Sequence, residues 1–425
     1  MNALSPLKLK TMDLGIFNIS ETAIGRLKRF KGFDPDYYQK NSPDVVAAGV
    51  CPYKHYLEFG AKEHRRMGSD LHIARSIGDV ASVPTNDSIA PGEQVIELGS
   101  VQVLCSSKGN FFMTSIARQL CDELVRHGID VTFGDETCNP EENYQNRIIV
   151  APHEFFHDGR GNNWKNNKTI SNSIMLSTEQ IQTRWFGESI PYLLESKGVI
   201  DMYHHSMQLL KSAGMRAMHY VPNPPCLSTS NVTPRLSRHP LFKSLPKRAH
   251  TTQYSVAYED RPIDVCFFGA ESPHRDLVLA RCAPFMARLE TFLYYRRLRF
   301  GPLTGEDDVL VDLATHVCGH SKICLNIHRD RFGAFEWFRI VYQGMRSGSL
   351  VLSEHCLPVP GFVDGEHYIS VHSRHMGEMI EWLVTDQSGI NHANRIRDNC
   401  SRFLADCHVA NIGASNIVSF LAACS

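Results

Sequence analysis

The chain has 425 residues, with 44 Lys and Arg against 45 Asp and Glu and a formal charge of -1. That length exceeds one ordinary hydrophobic core and predicts two or three domains, while the balanced charge offers no basic excess for nucleic acid. At 43% hydrophobic residues, with no apolar run of about 18 residues, it reads as a soluble globular protein without a transmembrane segment. Lys8 and Lys10 are followed by no apolar signal segment, so the expected compartment is the cytoplasm, with peripheral membrane association left open. Thirteen cysteines without Cys-x-x-Cys pairs then read as reduced thiols.

Residues 1 to about 30 carry no structural signal. Three short helices follow: Asp34 caps one with Pro35 at its first position, Ser42 and Pro43 repeat the arrangement, and Gly60 ends the third. Phe33, Tyr38 and Tyr56 read as a small core. The Asp34-x-Asp36 pair would suit a metal, but capping accounts for Asp34 better. The run from Phe33 to Arg65 resembles a short helical module that recurs in bacterial glycosyltransferases and rhamnan-synthesis proteins. It closes an expected N-terminal unit, 1–67, and the Ser-, Gly-, Asp- and Pro-rich stretch 68–94 reads as a linker.

Residues 95–225 read as a first Rossmann-like domain. Val101–Cys105 predicts a strand, Phe111–His127 a helix ended by Gly128, and Ile129–Phe133 the next strand. No Gly-x-Gly-x-x-Gly follows the first strand, which disfavours a nicotinamide or flavin dinucleotide. Strands over Arg147–Ala151 and Ser173–Ser177 end at His153 and at Glu179–Gln180. A helix near Ile190–Ser196, a strand Gly198–Asp201, a helix Ser206–Ala213 and a strand His219–Pro222 complete the unit.

Residues 226–259 read as the interdomain connection and 260–386 as a second Rossmann-like domain. Its first strand, Ile263–Phe268, meets the turn Gly269–Arg275 and a helix over Asp276–Met286, an arrangement that suits phosphate at a helix start. Lys322–Ile327 and Leu350–Leu352 predict strands joined by a helix. On it Glu336, Arg339 and Gln343 fall at i, i+3 and i+7, beside a packing stripe of Trp337, Val341 and Met345. Such a unit predicts a parallel sheet, with Asn326, His328, Arg329 and Glu336 gathered beyond its carboxyl edge. His316, Cys318, His320, Cys324 and His328 match no familiar zinc spacing, so no metal is expected. A strand over Tyr368–Val371 and a helix over Met376–Thr385 follow, and 387–425 reads as a helical tail that returns to the first domain.

The order of these segments, Leu325-Asn-Ile-His328, then Glu336 and Arg339, then Val351-Leu-Ser-Glu354, resembles the donor-binding half of GT-B glycosyltransferases. The likeness is greatest to the CgeB-like group and related polysaccharide-pathway enzymes. The strand ends His153, Glu179–Gln180, Asp201-Met-Tyr-His and Val221–Pro222 are similar to the family's first domain, although Met202 interrupts one motif.

The resemblance implies an α/β, GT-B-like fold in which two Rossmann-like domains face a cleft, preceded by a small helical module. It implies transfer of a sugar from a nucleotide-activated donor to a saccharide or other hydroxyl acceptor, without a cofactor. Donor binding is expected from Gly269, Arg275, Lys322, Asn326, His328, Glu336, Arg339 and Gln343. The acceptor's base is expected from the first domain: His153 first, because imidazole titrates near neutrality, and Glu179 next. Gln343 stands where many retaining enzymes carry glutamate, which points to inversion. A nucleotide-sugar 2-epimerase and a catalytically degenerate carbohydrate-binding or assembly protein are the alternatives.

Overall fold

The computed structural model describes residues 18–81, 99–142, 144–220, 222, 224–297, 305–410 and 414–425. Residues 82–94 of the expected linker, and Val221 of the Val-Pro pair, lie outside them. Two parallel sheets organise the chain. The first takes β1 (Val101–Leu104), β2 (Val131–Gly134), β3 (Asn146–Val150), β4 (Ile174–Ser177), β5 (Gly198–Asp201) and β6 (Ala217–His219) in the order β2-β1-β3-β4-β5-β6. The strands β1, β3, β4 and β5 are buried at every residue, as expected for a parallel sheet covered by helices on both faces.

The second sheet takes β7 (Ile263–Ala270), β8 (Thr291–Arg296), β9 (Ser321–Asn326), β10 (Leu350–Glu354) and β11 (Ile369–Val371) in the order β11-β10-β9-β7-β8. Every pairing in both sheets is parallel. The expected pair of α/β domains is present. Absent from the sequence reading are β8 and the helix Gly305–Gly319 that connects it to β9. In each sheet the strand order reverses once, between β1 and β3 and between β7 and β9, and such switch points open crevices at the carboxyl edge.

The N-terminal segment packs onto the first domain. Ser20 caps a helix Glu21–Arg29 whose Ala23, Ile24 and Leu27 are buried, in a stretch where the sequence carries no signal. Arg26 donates to the Leu194 carbonyl at 2.6 Å, and Ser20 donates to Glu195 at 2.7 Å. Phe33 and Tyr38, Tyr53 and Tyr56 form the expected small core, with ring centroids 5.1–5.5 Å apart. The Asp34 carboxylate accepts from the Tyr37 N–H at 3.0 Å, so it is a helix cap. The beginning of the expected linker is corrected. Asp70–Ala81 is a helix, and its buried Ile73, Ile77 and Val80 recur at helical spacing beneath a polar composition.

The C-terminal helices Gln387–Ala410 and Ala414–Cys424 lead back to the first domain. Ile417, Leu421 and Cys424 are buried in its core, and Asn146 in β3 donates to the Leu421 carbonyl at 3.3 Å. Among the described residues, no helix is long and apolar enough to cross a membrane. Because Leu421 is fully buried, Leu421→Ala is expected to destabilise the protein by about 2–5 kcal/mol in urea unfolding. An unchanged midpoint would show that the tail does not hold the domains together.

Candidate functional site

The carboxyl ends of the two sheets face one cavity of about 380 Å³, lined from both domains. From the second domain come Gly269, Arg275, Arg329, Glu336, Arg339 and Gln343, all expected from the sequence, together with Arg296. From the first come Asn110, Thr178, Glu179, Gln180, Trp185 and Tyr203. A further wall is apolar, built from Phe268, Tyr294, Leu310, Val311 and Ala314.

Arg275 marks the switch point of the second sheet. Its Nε donates to the Ile327 carbonyl after β9 at 3.0 Å, and a terminal nitrogen donates to the Ala270 carbonyl at the end of β7 at 2.9 Å. The guanidinium therefore spans the gap where strand order reverses. Gly269 makes room for it, since a Cβ there would lie 3.2 Å from the guanidinium and 2.6 Å from the Phe267 ring. Arg339 lies over the same ring, 5.3 Å from its centroid, with Arg275 at 5.7 Å. Burial pushes the Arg275 guanidinium down to about 9, with Arg339 and Arg329 adding repulsion and Glu336 opposing. Arg339 is also lowered by burial, and its Nε has no hydrogen-bond partner among the described residues. Buried cations crowded together with an unused donor have the chemistry that suits an anion.

The turn before Arg275 works differently from expectation. Ser272 caps the helix Pro273–Met286 by accepting from the Arg275 N–H, so the guanidiniums, rather than the helix end, present the positive charge to the cavity. His274 bonds Glu354 at 2.9 Å, and the same carboxylate accepts from the His328 N–H at 2.9 Å. Glu354, the last residue of the Val351–Glu354 segment that carries the resemblance, thus ties the ends of β9 and β10 to the helix start.

Three expected donor residues lie outside the cavity. Lys322 is at the amino end of β9, paired with Asp264 at 2.7 Å. It stands four residues, about 13 Å of strand, from the edge that faces the cleft. Asn326 is fully buried and donates to Ser353 at 2.9 Å. His328 is buried too, with Nε2 at 3.1 Å from the His355 carbonyl. Both secure strand ends. The expected α-helix at Glu336 is corrected as well: a π-helical turn spans Phe338–Gly344, so Glu336 precedes it and caps it through its carbonyl. π-turns concentrate at functional sites, and Glu336, Arg339 and Gln343 all reach the cavity.

On the opposite wall, the candidate bases exchange rank. His153 follows Ala151, whose φ of 52 is left-handed, a strained conformation for a residue with a side chain. The imidazole is buried behind the wall, with Nε2 at 3.7 Å from Glu179 and 3.9 Å from Glu154. Burial pushes it down to about 3, leaving a neutral and weakly basic ring. Glu179 lines the cavity, and burial, reinforced by Glu154 and Glu336, pushes it up to about 8. Glu154 is pushed up to about 7 by burial and accepts from the Asn110 N–H at 2.8 Å, joining the loops at the switch point of the first sheet. Of the two, Glu179 lines the cavity and His153 packs behind it. Thr178 lines the cavity with a hydroxyl that has no partner among the described residues.

The histidines near β9 do not assemble a metal centre. His316 bonds the Ala249 carbonyl at 2.6 Å and His320 the Thr251 carbonyl at 2.8 Å. Among the described residues, the buried thiols Cys266, Cys318 and Cys324 come within 4.8 Å of one another, in the core that packs the helix Gly305–Gly319 on the sheet. The missed cavity residues Trp185, Tyr203, Tyr294 and Arg296 carry no local motif. Only the ends of their elements mark them.

No protein-family model matches the chain, and no curated protein sequence matches it. Among solved structures, it is similar to Anabaena Alr3699/HepE in complex with UDP and glucose, at 11% identity over 76% of this chain and 100% of that one, TM-score 0.44. It is similar to an alpha-glucosyltransferase in complex with UDP and a 13-mer DNA, at 9% identity over 75% and 99% of the two chains, TM-score 0.43. An alpha1,3-fucosyltransferase with GDP-fucose gives 9% identity, 76% and 86% coverage and TM-score 0.35. At such identities and TM-scores the likeness assigns neither substrate nor reaction to this chain.

The cationic cluster gives a test that needs no reaction. Millimolar pyrophosphate is expected to raise Tm, and Arg339→Met, which keeps the apolar stem, to weaken binding by about 1.5–3 kcal/mol. An equal rise in parent and variant would remove the cluster from any anion site.

Proposed function

We propose that this chain transfers a sugar from a nucleoside-diphosphate donor to a hydroxyl acceptor across the interdomain cavity. The observation that carries the reading is the polarity of that one cavity: Arg275, Arg329 and Arg339 gather on the second domain, and Glu179 stands on the first. A diphosphate leaving group needs its developing negative charge stabilised, and guanidinium forks suit phosphate oxygens better than a point-charge ammonium does. The flat apolar wall of Phe268, Tyr294 and Leu310 suits a nucleobase beside the diphosphate.

In this reading Glu179 takes the proton of the acceptor hydroxyl as its oxygen bonds to the anomeric carbon. The bond from that carbon to the phosphate oxygen breaks, and the electron pair leaves with the diphosphate toward Arg275 and Arg339. The arginines supply the charge that a divalent ion would otherwise provide, so turnover is expected to persist in EDTA. Loss of turnover restored by a divalent ion would contradict this. With a single carboxyl on the acceptor wall and the neutral amide Gln343 among the donor residues, the reaction is read as inverting. A place in cell-surface polysaccharide synthesis rests on the Phe33–Arg65 signature and the CgeB-like order of segments.

A base must be unprotonated to accept, and a carboxyl near 8 is mostly protonated at pH 7. The value of kcat/KM is therefore expected to rise with pH and level off above about 8. A profile with no rising limb near 8 would count against Glu179 as the base. Assayed across nucleotide sugars, Glu179→Gln is expected to lose about a hundredfold or more in turnover while retaining donor affinity. His153→Ala should lose less. Donor conversion without acceptor would instead favour the 2-epimerase.

A further inference from the structure

Glu336 is the carboxylate nearest the cationic cluster in charge effect, attracting both Arg275 and Arg339. Its Oε1 is already engaged. It accepts from the side-chain amide of Gln180, which belongs to the other domain and follows β4. A carboxylate can only accept, so Gln180 must turn its NH2 group toward Glu336 and its carbonyl oxygen away. That carbonyl accepts from the Gln182 amide at 2.6 Å. The amide is thereby fixed in one orientation by a group of its own domain before it crosses the cleft. Glu336 is likewise fixed by the π-turn, since its own carbonyl accepts the Ile340 N–H at 2.9 Å.

The neighbour of Gln180 in the chain is Glu179. Whatever sets the distance between Gln180 and Glu336 also sets the distance between the Glu179 carboxyl and the guanidiniums of the second domain. Apolar contacts across the cleft, such as Phe112 against Phe338 with ring centroids 4.3 Å apart, resist separation but tolerate sliding. A directional hydrogen bond to a charged acceptor does not.

We propose that Gln180 is a positioning residue whose amide docks on Glu336 and so brings Glu179 into register with the donor held by the arginines when the domains close. The activity part of this inference rests on the transfer reading above; the docking itself does not. Gln180 then governs the chemical step far more than donor affinity, because the donor is held by the second domain. Replacing it with glutamate would put two carboxylates in contact. Replacing Glu336 with glutamine at the same time would restore a donor and an acceptor, in reversed order, with the pair's net charge conserved.

Four variants test this in the full chain: Gln180→Ala, Gln180→Glu, Glu336→Gln and the exchange Gln180→Glu/Glu336→Gln. Solution scattering reads closure without any substrate. Gln180→Glu should enlarge the radius of gyration and the exchange should return it toward the parent; an unchanged radius in Gln180→Glu overturns the docking. Calorimetry with UDP and GDP reads the donor site, where Gln180→Ala is expected to bind within about twofold of the parent. A parent that binds neither would count against the transfer reading while the scattering result still decides the docking. With a turned-over donor, Gln180→Ala should lower kcat about tenfold or more with donor KM little changed, and the exchange should regain activity over both single variants. A parent-like kcat in Gln180→Ala, or no recovery in the exchange, overturns the positioning role.

Discussion

Burying guanidinium groups side by side is costly, and the second domain does so at its most constrained point. Arg275 and Arg339 lie 5.7 and 5.3 Å from the centroid of the Phe267 ring, where the order of strands reverses between β7 and β9. Two backbone carbonyls hold Arg275 there, and Glu336 attracts both arginines. Desolvation disfavours the charged form of both, so an anion that occupies the cavity would relieve the strain. Much of the surrounding sequence follows from that arrangement. Position 269 is glycine because a side chain would strike the Phe267 ring, and Glu354 locks the strand ends through His274 and His328.

The first domain presents the complementary problem of crowded carboxyls. Glu154 and Glu179 both flank the Nε2 of His153, and each is pushed upward by burial and by its neighbours. A neutral imidazole between them avoids adding charge to the site and fills the space behind Glu179. The left-handed backbone at Ala151 turns the chain so that this cluster sits at the switch point of its own sheet. The C-terminal helix, packed on β3 through Asn146, ties that sheet to the tail of the second domain. The arginines of one wall and Glu179 of the other therefore meet where two similar sheets turn their crevices to one cavity.

The sheets were legible because buried parallel strands are continuous apolar runs: the strand Gly198–Asp201 is bounded in the structure as the sequence bounds it. The edge strand β8, Thr-Phe-Leu-Tyr-Tyr-Arg, was not, since it is only partly buried and its pattern lacks a clean period. Helix Asp70–Ala81 was hidden by its polar composition. Gly269, Arg275, Glu336, Arg339 and Gln343 line the cavity as sequence order anticipates, because all sit at or after strand ends whose direction the strand-helix-strand pattern fixes. Lys322 failed because a strand has two ends, and only one faces the cleft. His153 lies behind the cavity wall for a reason no local pattern carries: Ser189 and Glu179, distant in sequence, pack against its ring.

The most direct measurement is a calorimetric titration of the full chain with free nucleoside diphosphates, repeated on Ala314→Trp, which would fill the apolar wall of the cavity. The structure predicts saturable binding of one diphosphate per chain in the parent, weakened by added salt and lost in the filled variant. Binding that survives the filled cavity, or no binding of any nucleoside diphosphate to a folded parent, would contradict the account.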